Sequence, residues 1–125
     1  LPRLNFPLEV GYMHATRYRG ETEGQAELQW QALPSCPMDG RTVLILDDIF
    51  DEGNTLAEVV EACKAQGAKE VITAVLINKV HDRKNTDLEV NFSGLDVEDR
   101  YLFGYGMDYR GYWRNAAGIY AVKGL

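Results

Sequence analysis

The fold of this chain is decided by residues 43–56, whose sequence is VLILDDIFDEGNTL. Four apolar residues lead into two adjacent carboxylates, and a short turn containing Gly53 then opens a helical pattern. An apolar run is typical of a buried strand. A glycine turn before a helix brings backbone amides close to an anion at the positive end of the helix dipole. The stretch therefore predicts a strand, an anion-binding turn and a helix in direct succession.

The helix is predicted over residues 55–66 and a second strand over residues 70–77. Leu56, Val59, Val60 and Cys63 fall on one helical face, and Gly67 follows as a left-handed terminator. Residues 70–77 form an almost continuous apolar, β-branched run, as in a strand covered on both faces. Strand, helix and strand together predict a βαβ unit with a parallel sheet and a right-handed crossover.

The remaining elements are predicted to be short. A strand is expected over residues 8–16, and residues 17–25, RYRGETEGQ, are expected to form a mobile loop because they have two glycines and many charges. Residues 26–32 are predicted to return as the second strand of a long hairpin. The first strand of the βαβ unit is expected over residues 42–46, and further short strands around residues 102–103 and 119–122.

Composition limits the class of protein. The length of 125 residues predicts one small domain, residues 1–125. The net charge of −6 argues against nonspecific nucleic-acid binding. No apolar run reaches the roughly 18 residues of a membrane span, and there is no signal-peptide pattern, so we expect a cytoplasmic protein without a membrane segment. Cys36 and Cys63 are far apart and are predicted to be plain thiols.

Asp47 and Asp48 are candidates for ligand binding, because carboxylates at the end of a buried strand are costly unless they bind something. Two ionised carboxylates can accept hydrogen bonds from vicinal ribose hydroxyls, and Mg²⁺ would offset their repulsion. The patterns GxxxxGK[ST] and GxGxxG are absent, so a single sugar phosphate fits better than a triphosphate or a dinucleotide. The alternative is that residues 47–55 only cap the helix.

Residues 43–56 resemble the phosphoribosyl pyrophosphate-binding signature of the type I phosphoribosyltransferases. A loop at 17–25, Lys79 and the segment 99–109, DRYLFGYGMDY, are similar to the hypoxanthine-guanine (6-oxopurine) branch of that family. The resemblance implies an α/β fold, with a twisted, mostly parallel sheet, flanking helices and a flexible active-site loop. It also implies purine salvage, in which the 5-phosphoribosyl group of phosphoribosyl pyrophosphate moves to N9 of hypoxanthine or guanine and gives IMP or GMP and pyrophosphate.

The resemblance assigns roles to the ribose-phosphate half of the site. Asp47 and Asp48 would hold the ribose hydroxyls directly or through Mg²⁺, and Asp51 would be the general acid/base at purine N7. The 5′-phosphate would be bound by the turn residues Asp51, Glu52, Gly53, Asn54 and Thr55.

The purine half is assigned in the same way. Lys79 would donate to the 6-oxo group, Tyr101 would stack on the base, and the backbone of Leu102 would meet the purine edge. Asp108 would contact the purine and serve as a further magnesium ligand. Pyrophosphate and loop contacts would come from Arg114, Arg17 and Tyr18.

The sequence departs from the family pattern at three places. Glu52 and Asn54 replace a Thr and a Lys of the phosphate turn, and Arg17-Tyr18 replaces Ser-Tyr at the mobile loop. Family members also carry an N-terminal strand and a pyrophosphate-binding loop, and we expect this chain, which does not begin with Met, to lack them.

Other readings stay open at this point. A regulator that senses a nucleotide or phosphoribosyl pyrophosphate on the same fold is the main alternative to an enzyme, and xanthine or a pyrimidine could be the acceptor. The family resemblance implies a homodimer or homotetramer. Residues 81–84 are expected to be a solvated loop without metal ligands, the acids at 96, 98 and 99 to lie on the surface, and Tyr109, Tyr112 and Trp113 to contribute packing.

Overall fold

The computed structural model describes residues 1–18, 27–32 and 34–125. One helix and seven strands are assigned in this part of the chain. In chain order they are β1 His14–Tyr18, β2 Glu27–Ala32, β3 Thr42–Phe50, α1 Asn54–Ala65, β4 Glu70–Val80, β5 Phe92–Glu98, β6 Leu102–Phe103 and β7 Tyr120–Ala121.

The centre of the fold is a parallel sheet in the order β3-β4-β5. The predicted β3–α1–β4 unit is confirmed, with Leu44 beside Ile72 and Phe50 beside Asn78 in the ladder. Both strands run further than predicted, because ladder pairing continues beyond the last purely apolar residue. As a result Asp47 lies inside β3, opposite Val75, rather than after the strand.

Strand β4 is covered on one face and partly open on the other. Thr73, Val75, Ile77 and Lys79 are buried, whereas the intervening Leu76 is 39% exposed. The expected cover on both faces is therefore wrong for this part of the described structure. Strand β5 was not predicted, since its sequence, FSGLDVE, shows little hydrophobic periodicity.

Helix α1 lies one residue earlier than predicted and buries the expected face. Leu56, Val60 and Cys63 are its buried side chains. Leu56 packs with Phe50 and Val75 in one core cluster. A second cluster, formed by Ile77, Leu102 and Met107, joins β4 to the C-terminal segment. This second cluster lies beneath the carboxyl edge of the sheet and supports the site described below.

The N-terminal part contains an antiparallel hairpin. Strand β1 pairs with β2, and Tyr18 lies opposite Glu27. The strand predicted over residues 8–16 is wrong over 8–13, where β-favouring residues have no ladder partner among the described residues. Residues 17 and 18, predicted to begin the mobile loop, belong to β1 instead. The side chains of Arg17 and Tyr18 and residues 19–25 lie outside the described part.

The two short C-terminal strands are confirmed as β6 and β7, and they pair antiparallel with Phe103 opposite Tyr120. In the part of the chain that the structure describes, the single helix is too short and too polar to cross a membrane.

Candidate active site

A cleft of about 210 Å³ opens at the carboxyl edge of the parallel sheet. In open α/β sheets ligands bind at this edge, where loops and helix amino ends converge. The cleft gathers most of the residues predicted for the purine half of the site. It is lined by Asp48, Ile49, Lys79, Tyr101, Leu102, Met107, Asp108 and Arg114.

Lys79 connects the cleft to Asp51. It belongs to β4 rather than to the loop after it, and it is only 8% exposed. Its Nζ lies 3.1 Å from Oδ2 of Asp51 and 3.9 Å from Oδ1 of Asp99. A buried ammonium requires such partners, because desolvating an unpaired charge is strongly unfavourable. The predicted purine-binding lysine and the predicted general acid/base are thus in direct contact.

Asp51 is held in its ionised form by its neighbours. Partial burial acts to raise the pKa of the Asp51 carboxyl. Hydrogen bonds from Lys79 and His81, together with the positive charges of Lys79 and Arg83, outweigh that effect and hold the pKa below its usual range. An ionised carboxylate at this position can accept a proton, as a general base must.

The segment after β4 is exposed at Asp82, Arg83 and Asn85, as expected of a solvated loop, but it also makes contacts with the site. Four of its residues form what we call the brace, namely His81, Arg83, Lys84 and Asn85. The side chain of His81 is 5% exposed, and its Nε2 lies 2.7 Å from Oδ1 of Asp51. Arg83 binds both carboxylate oxygens of Asp99, each at 2.8 Å from Nη2. Lys84 donates to the carbonyls of Phe50 and Asp51 at the end of β3. Asp99 is exposed, as predicted for a surface acid, and through Arg83 it is also joined to the site.

Arg83 also explains how an acid is accommodated in the phosphate turn. Its Nη1 lies 3.0 Å from Oε1 of Glu52. The backbone N–H of Asn85 donates to the carbonyl of Glu52 at 2.9 Å, so the turn and the brace are joined through main chain as well. The Glu52 carboxylate is paired within the protein, and its repulsion toward a phosphate is offset by Arg83.

The turn itself depends on Gly53. This residue precedes α1 with φ +89°, a left-handed conformation that residues with a Cβ rarely adopt. A Cβ there would lie 2.5 Å from Cγ2 of Thr86 and 2.6 Å from Cε2 of Phe50. The Gly53 carbonyl accepts the first intrahelical bond, from Ala57 at 2.9 Å. The helix amino end that follows has the donors and dipole for an anion.

Asp47 and Asp48 do not line the same cavity. Asp48 lines the 210 Å³ cleft, whereas Asp47 and Thr55 line a larger cavity of about 450 Å³ between residues 9–15, β3 and α1. That larger cavity contains neither Lys79 nor Tyr101, so its size does not make it the purine site. The pKa of Asp47 is raised to about 6. Desolvation is the largest cause, the hydrogen bond from the Asp48 amide acts to lower the pKa, and the negative charge of Asp48 acts to raise it.

The C-terminal segment supplies the other wall of the cleft. The ring of Tyr101 makes an edge-on contact with Tyr109, with centroids 5.7 Å apart. Leu102 is buried in the core, so only its backbone is available to a ligand. Asp108 accepts the Gly111 N–H at 2.7 Å and lies 3.4 Å from Nη2 of Arg114. Arg114 in turn donates to the Gly106 carbonyl at 2.8 Å.

Two aromatic side chains of this segment differ from expectation. Tyr112 is 73% exposed and Trp113 is 59% exposed, so the packing role predicted for them is wrong. Trp113 has φ +68°, which belongs to a tight turn rather than a packed strand.

Two sets of side chains have the donors to hold a divalent cation. Asp48 and Asp108 both line the cleft and supply the hard oxygen donors that Mg²⁺ prefers. A second set, Asp51, His81 and Asp99, has potential ligand atoms within 4.8 Å of one another. Lys79 and Arg83 already neutralise those carboxylates, so we interpret this set as an ion-pair network.

The βαβ unit defines an α/β protein, and its cleft lies beyond the ends of the parallel strands, where such folds bind ligands. The family model described as "Phosphoribosyl transferase domain" matches residues 2–110. The chain belongs to the phosphoribosyltransferase family. The resemblance noted for residues 43–56 and 99–109 is thereby confirmed, as is the predicted fold class.

Individual relatives agree with this assignment. The hypoxanthine-guanine phosphoribosyltransferase of Staphylococcus epidermidis is 30% identical over 123 residues, which cover 98% of this chain and 68% of that protein. A hypoxanthine phosphoribosyltransferase structure from Staphylococcus aureus has a TM-score of 0.88 at 29% identity, covering 98% of this chain and 66% of that one. The Trypanosoma cruzi enzyme, solved with IMP, has a TM-score of 0.84 at 22% identity and shows likeness of fold alone. The chain spans about two thirds of the length of these relatives.

Proposed function

We propose that the protein containing this chain is a 6-oxopurine phosphoribosyltransferase. It transfers the 5-phosphoribosyl group of phosphoribosyl pyrophosphate to N9 of hypoxanthine or guanine, and the products are IMP or GMP and pyrophosphate. The named relatives that align with nearly the whole chain are enzymes of this kind, which favours catalysis over a regulator that only senses nucleotides.

One observation carries the proposal: the contact between Lys79, in the wall of the cleft, and the ionised Asp51 just beyond it. A 6-oxopurine offers an acceptor at O6 and a proton at N7 on the same edge. An ammonium donor beside a carboxylate base matches both groups. Adenine carries a 6-amino group that cannot accept from Lys79, and a site built for the oxo group discriminates against it.

The bond changes follow from these roles. With the base bound as its N7–H form between Tyr101 and the cleft floor, N9 attacks C1′ of the ribose. The C1′–O bond breaks, pyrophosphate leaves with the electron pair, and the N7 proton passes to Asp51. The chain contributes mainly by holding the reactants in line, and by keeping Asp51 ionised until it accepts the proton.

The ribose 5-phosphate is assigned to the turn from Asp51 to Thr55, where Gly53 allows close approach of backbone amides. Asp48 and Asp108 would hold Mg²⁺, which when bound neutralises charge on the pyrophosphate. Asp47 is assigned to a ribose hydroxyl, reached from the other side of β3. Arg114 is assigned to pyrophosphate together with Arg17 and Tyr18 at the end of β1. A cytoplasmic homodimer or homotetramer remains our expectation.

A panel of bases tests the proposed function. The whole protein that carries this chain is mixed with Mg²⁺, phosphoribosyl pyrophosphate and one of hypoxanthine, guanine, xanthine, adenine or uracil, and pyrophosphate release is measured. We expect turnover with hypoxanthine or guanine and none with adenine. Asp51→Asn should lower kcat by roughly 100-fold or more, since general acid–base catalysis contributes about that much.

A nucleotide-binding protein without turnover on any base would be a sensor rather than an enzyme. Full activity in Asp51→Asn would remove the assignment of the general acid/base while leaving the enzyme class intact.

A further inference from the structure

The imidazole of His81 is the most deeply buried of the side chains that contact Asp51. It follows β4 directly, is almost completely buried, and reaches Oδ1 of Asp51 at 2.7 Å. It takes no part in the proposed bond changes. Its contact is with one oxygen of the carboxylate only, whereas Lys79 contacts the other.

The hydrogen bonds of the ring define its tautomer. The backbone N–H of Arg83 donates to Nδ1 at 3.0 Å, so Nδ1 is an acceptor and carries no proton. The proton of the neutral imidazole is then on Nε2, which faces Asp51. His81 is therefore a donor to Oδ1, with its orientation fixed by main chain on the far side of the ring.

The two oxygens of Asp51 thus have partners of different mobility. Oδ1 is bound by a buried ring and lies 3.5 Å from Nη2 of Arg83, which is itself anchored by Asp99. Oδ2 is bound by the ammonium of Lys79, at the end of a flexible four-carbon chain. When Lys79 moves to the 6-oxo group of a purine, Oδ2 loses its partner and Oδ1 keeps its own.

We infer that His81 is a positioning residue for Asp51: its Nε2–H fixes Oδ1, so that Oδ2 is the oxygen that receives the purine N7 proton. This role rests on the proposed function, and it adds that Oδ2 is the reacting oxygen of Asp51 and that His81 orients the carboxylate. The charged groups that face Asp51 are Lys79 from β4, Arg83 and Lys84 from the brace, Glu52 beside it and Asp99 after β5.

The first test does not depend on activity. Long-range ¹H–¹⁵N NMR spectra of the imidazole nitrogens in the nucleotide-free whole protein report the tautomer of His81, with His81→Phe identifying its signals. We expect the Nε2–H form. A proton on Nδ1 would overturn the inference whether or not the protein is an enzyme.

The second test uses pH profiles of kcat/KM in three variants. His81→Phe keeps a ring but removes the donor, His81→Gln restores an N–H donor, and Asp82→Asn is a matched control at the adjacent exposed position. In His81→Phe the pKa of Asp51 rises, because a hydrogen bond to its ionised form is lost. The acid limb of the profile therefore moves to higher pH.

We also expect kcat to fall up to roughly 100-fold in His81→Phe, as for a misplaced catalytic group, with KM for phosphoribosyl pyrophosphate nearly unchanged. His81→Gln should recover part of this loss, and Asp82→Asn should behave as wild type. An active His81→Phe protein with an unshifted profile and wild-type kcat would overturn the positioning role. Absence of activity in the wild type would instead reject the proposed function, and the NMR test would still decide the tautomer.

Discussion

Replacing Gly53 by Ala should destabilise the protein through two separable effects. The first is conformational: at φ +89° a residue with a Cβ costs about 1 to 2 kcal/mol more than glycine. The second is steric, because the new Cβ would lie 2.5 Å from Cγ2 of Thr86 and 2.6 Å from Cε2 of Phe50. Forcing a methyl group into such a packed position typically costs a further 1 to 3 kcal/mol or so. The expected loss of unfolding free energy is therefore roughly 2 to 5 kcal/mol.

Gly40 provides a matched control for the conformational part. It has φ +69°, and a Cβ there would meet nothing within 4 Å. Gly40→Ala should therefore show only the backbone cost of about 1 to 2 kcal/mol. The double variant Gly53→Ala, Thr86→Ser removes the Cγ2 clash and should recover part of the steric cost.

Urea denaturation followed by circular dichroism measures these differences as shifts in midpoint at constant slope. If Gly53→Ala lost no more free energy of unfolding than Gly40→Ala, the contacts with Thr86 and Phe50 would be irrelevant and the steric effect would be refuted. Binding should change as well: the displaced turn should raise KM for phosphoribosyl pyrophosphate in the Gly53 variant but not in the Gly40 control.

Two further stability predictions concern β3 and β4. The pKa of Asp47 is raised from 3.8 to about 6 in the folded protein. Ionised Asp47 therefore lowers the free energy of unfolding, fully above pH 6 and less as the pH falls from 6 to 3.8, below which the effect is gone. Asp47→Asn should accordingly raise Tm at pH 7.5, with a gain that shrinks toward pH 4; a pH-independent difference in Tm would contradict the assigned cause. Ile77 is fully buried, so Ile77→Ala should cost roughly 2 to 5 kcal/mol in urea unfolding, whereas Leu46→Ala, at 67% exposure, should cost far less. Equal losses in these two variants would show that Ile77 is not a core residue.

The sequence was most informative where structure is local. The apolar periodicity of Leu56, Val60 and Cys63 predicted the buried face of α1, and the glycine before it predicted the turn. These features depend on neighbours within one or two helical turns. The predicted strands β3 and β4 were too short, because each was ended at its first polar residue. In the structure Asp47 and Lys79 still pair with a neighbouring strand, so they belong to β3 and β4.

The contacts around Asp51 could not be predicted in the same way. His81 and Arg83 lie some thirty residues from Asp51 and Glu52 in sequence, and Asp99 lies a further sixteen from Arg83. A charged segment after a strand is usually solvated, and only the placement of β5 beside β4 brings Asp99 to it. The family resemblance named Asp51 and Lys79, but the brace that holds them is formed by long-range pairing.

Glu52 and Arg83 illustrate why a departure from a family pattern has to be judged with its spatial partner. Taken alone, an acid in the phosphate turn weakens the case for anion binding, because like charges repel. In the structure its carboxylate lies 3.0 Å from a guanidinium that also binds Asp99. Both side chains of the pair are about half exposed, so the pair itself contributes little to stability. Its effect is instead on the local field: Arg83 offsets the negative charge of Glu52, so that a phosphate bound as proposed would face backbone amides and the positive helix amino end with less repulsion.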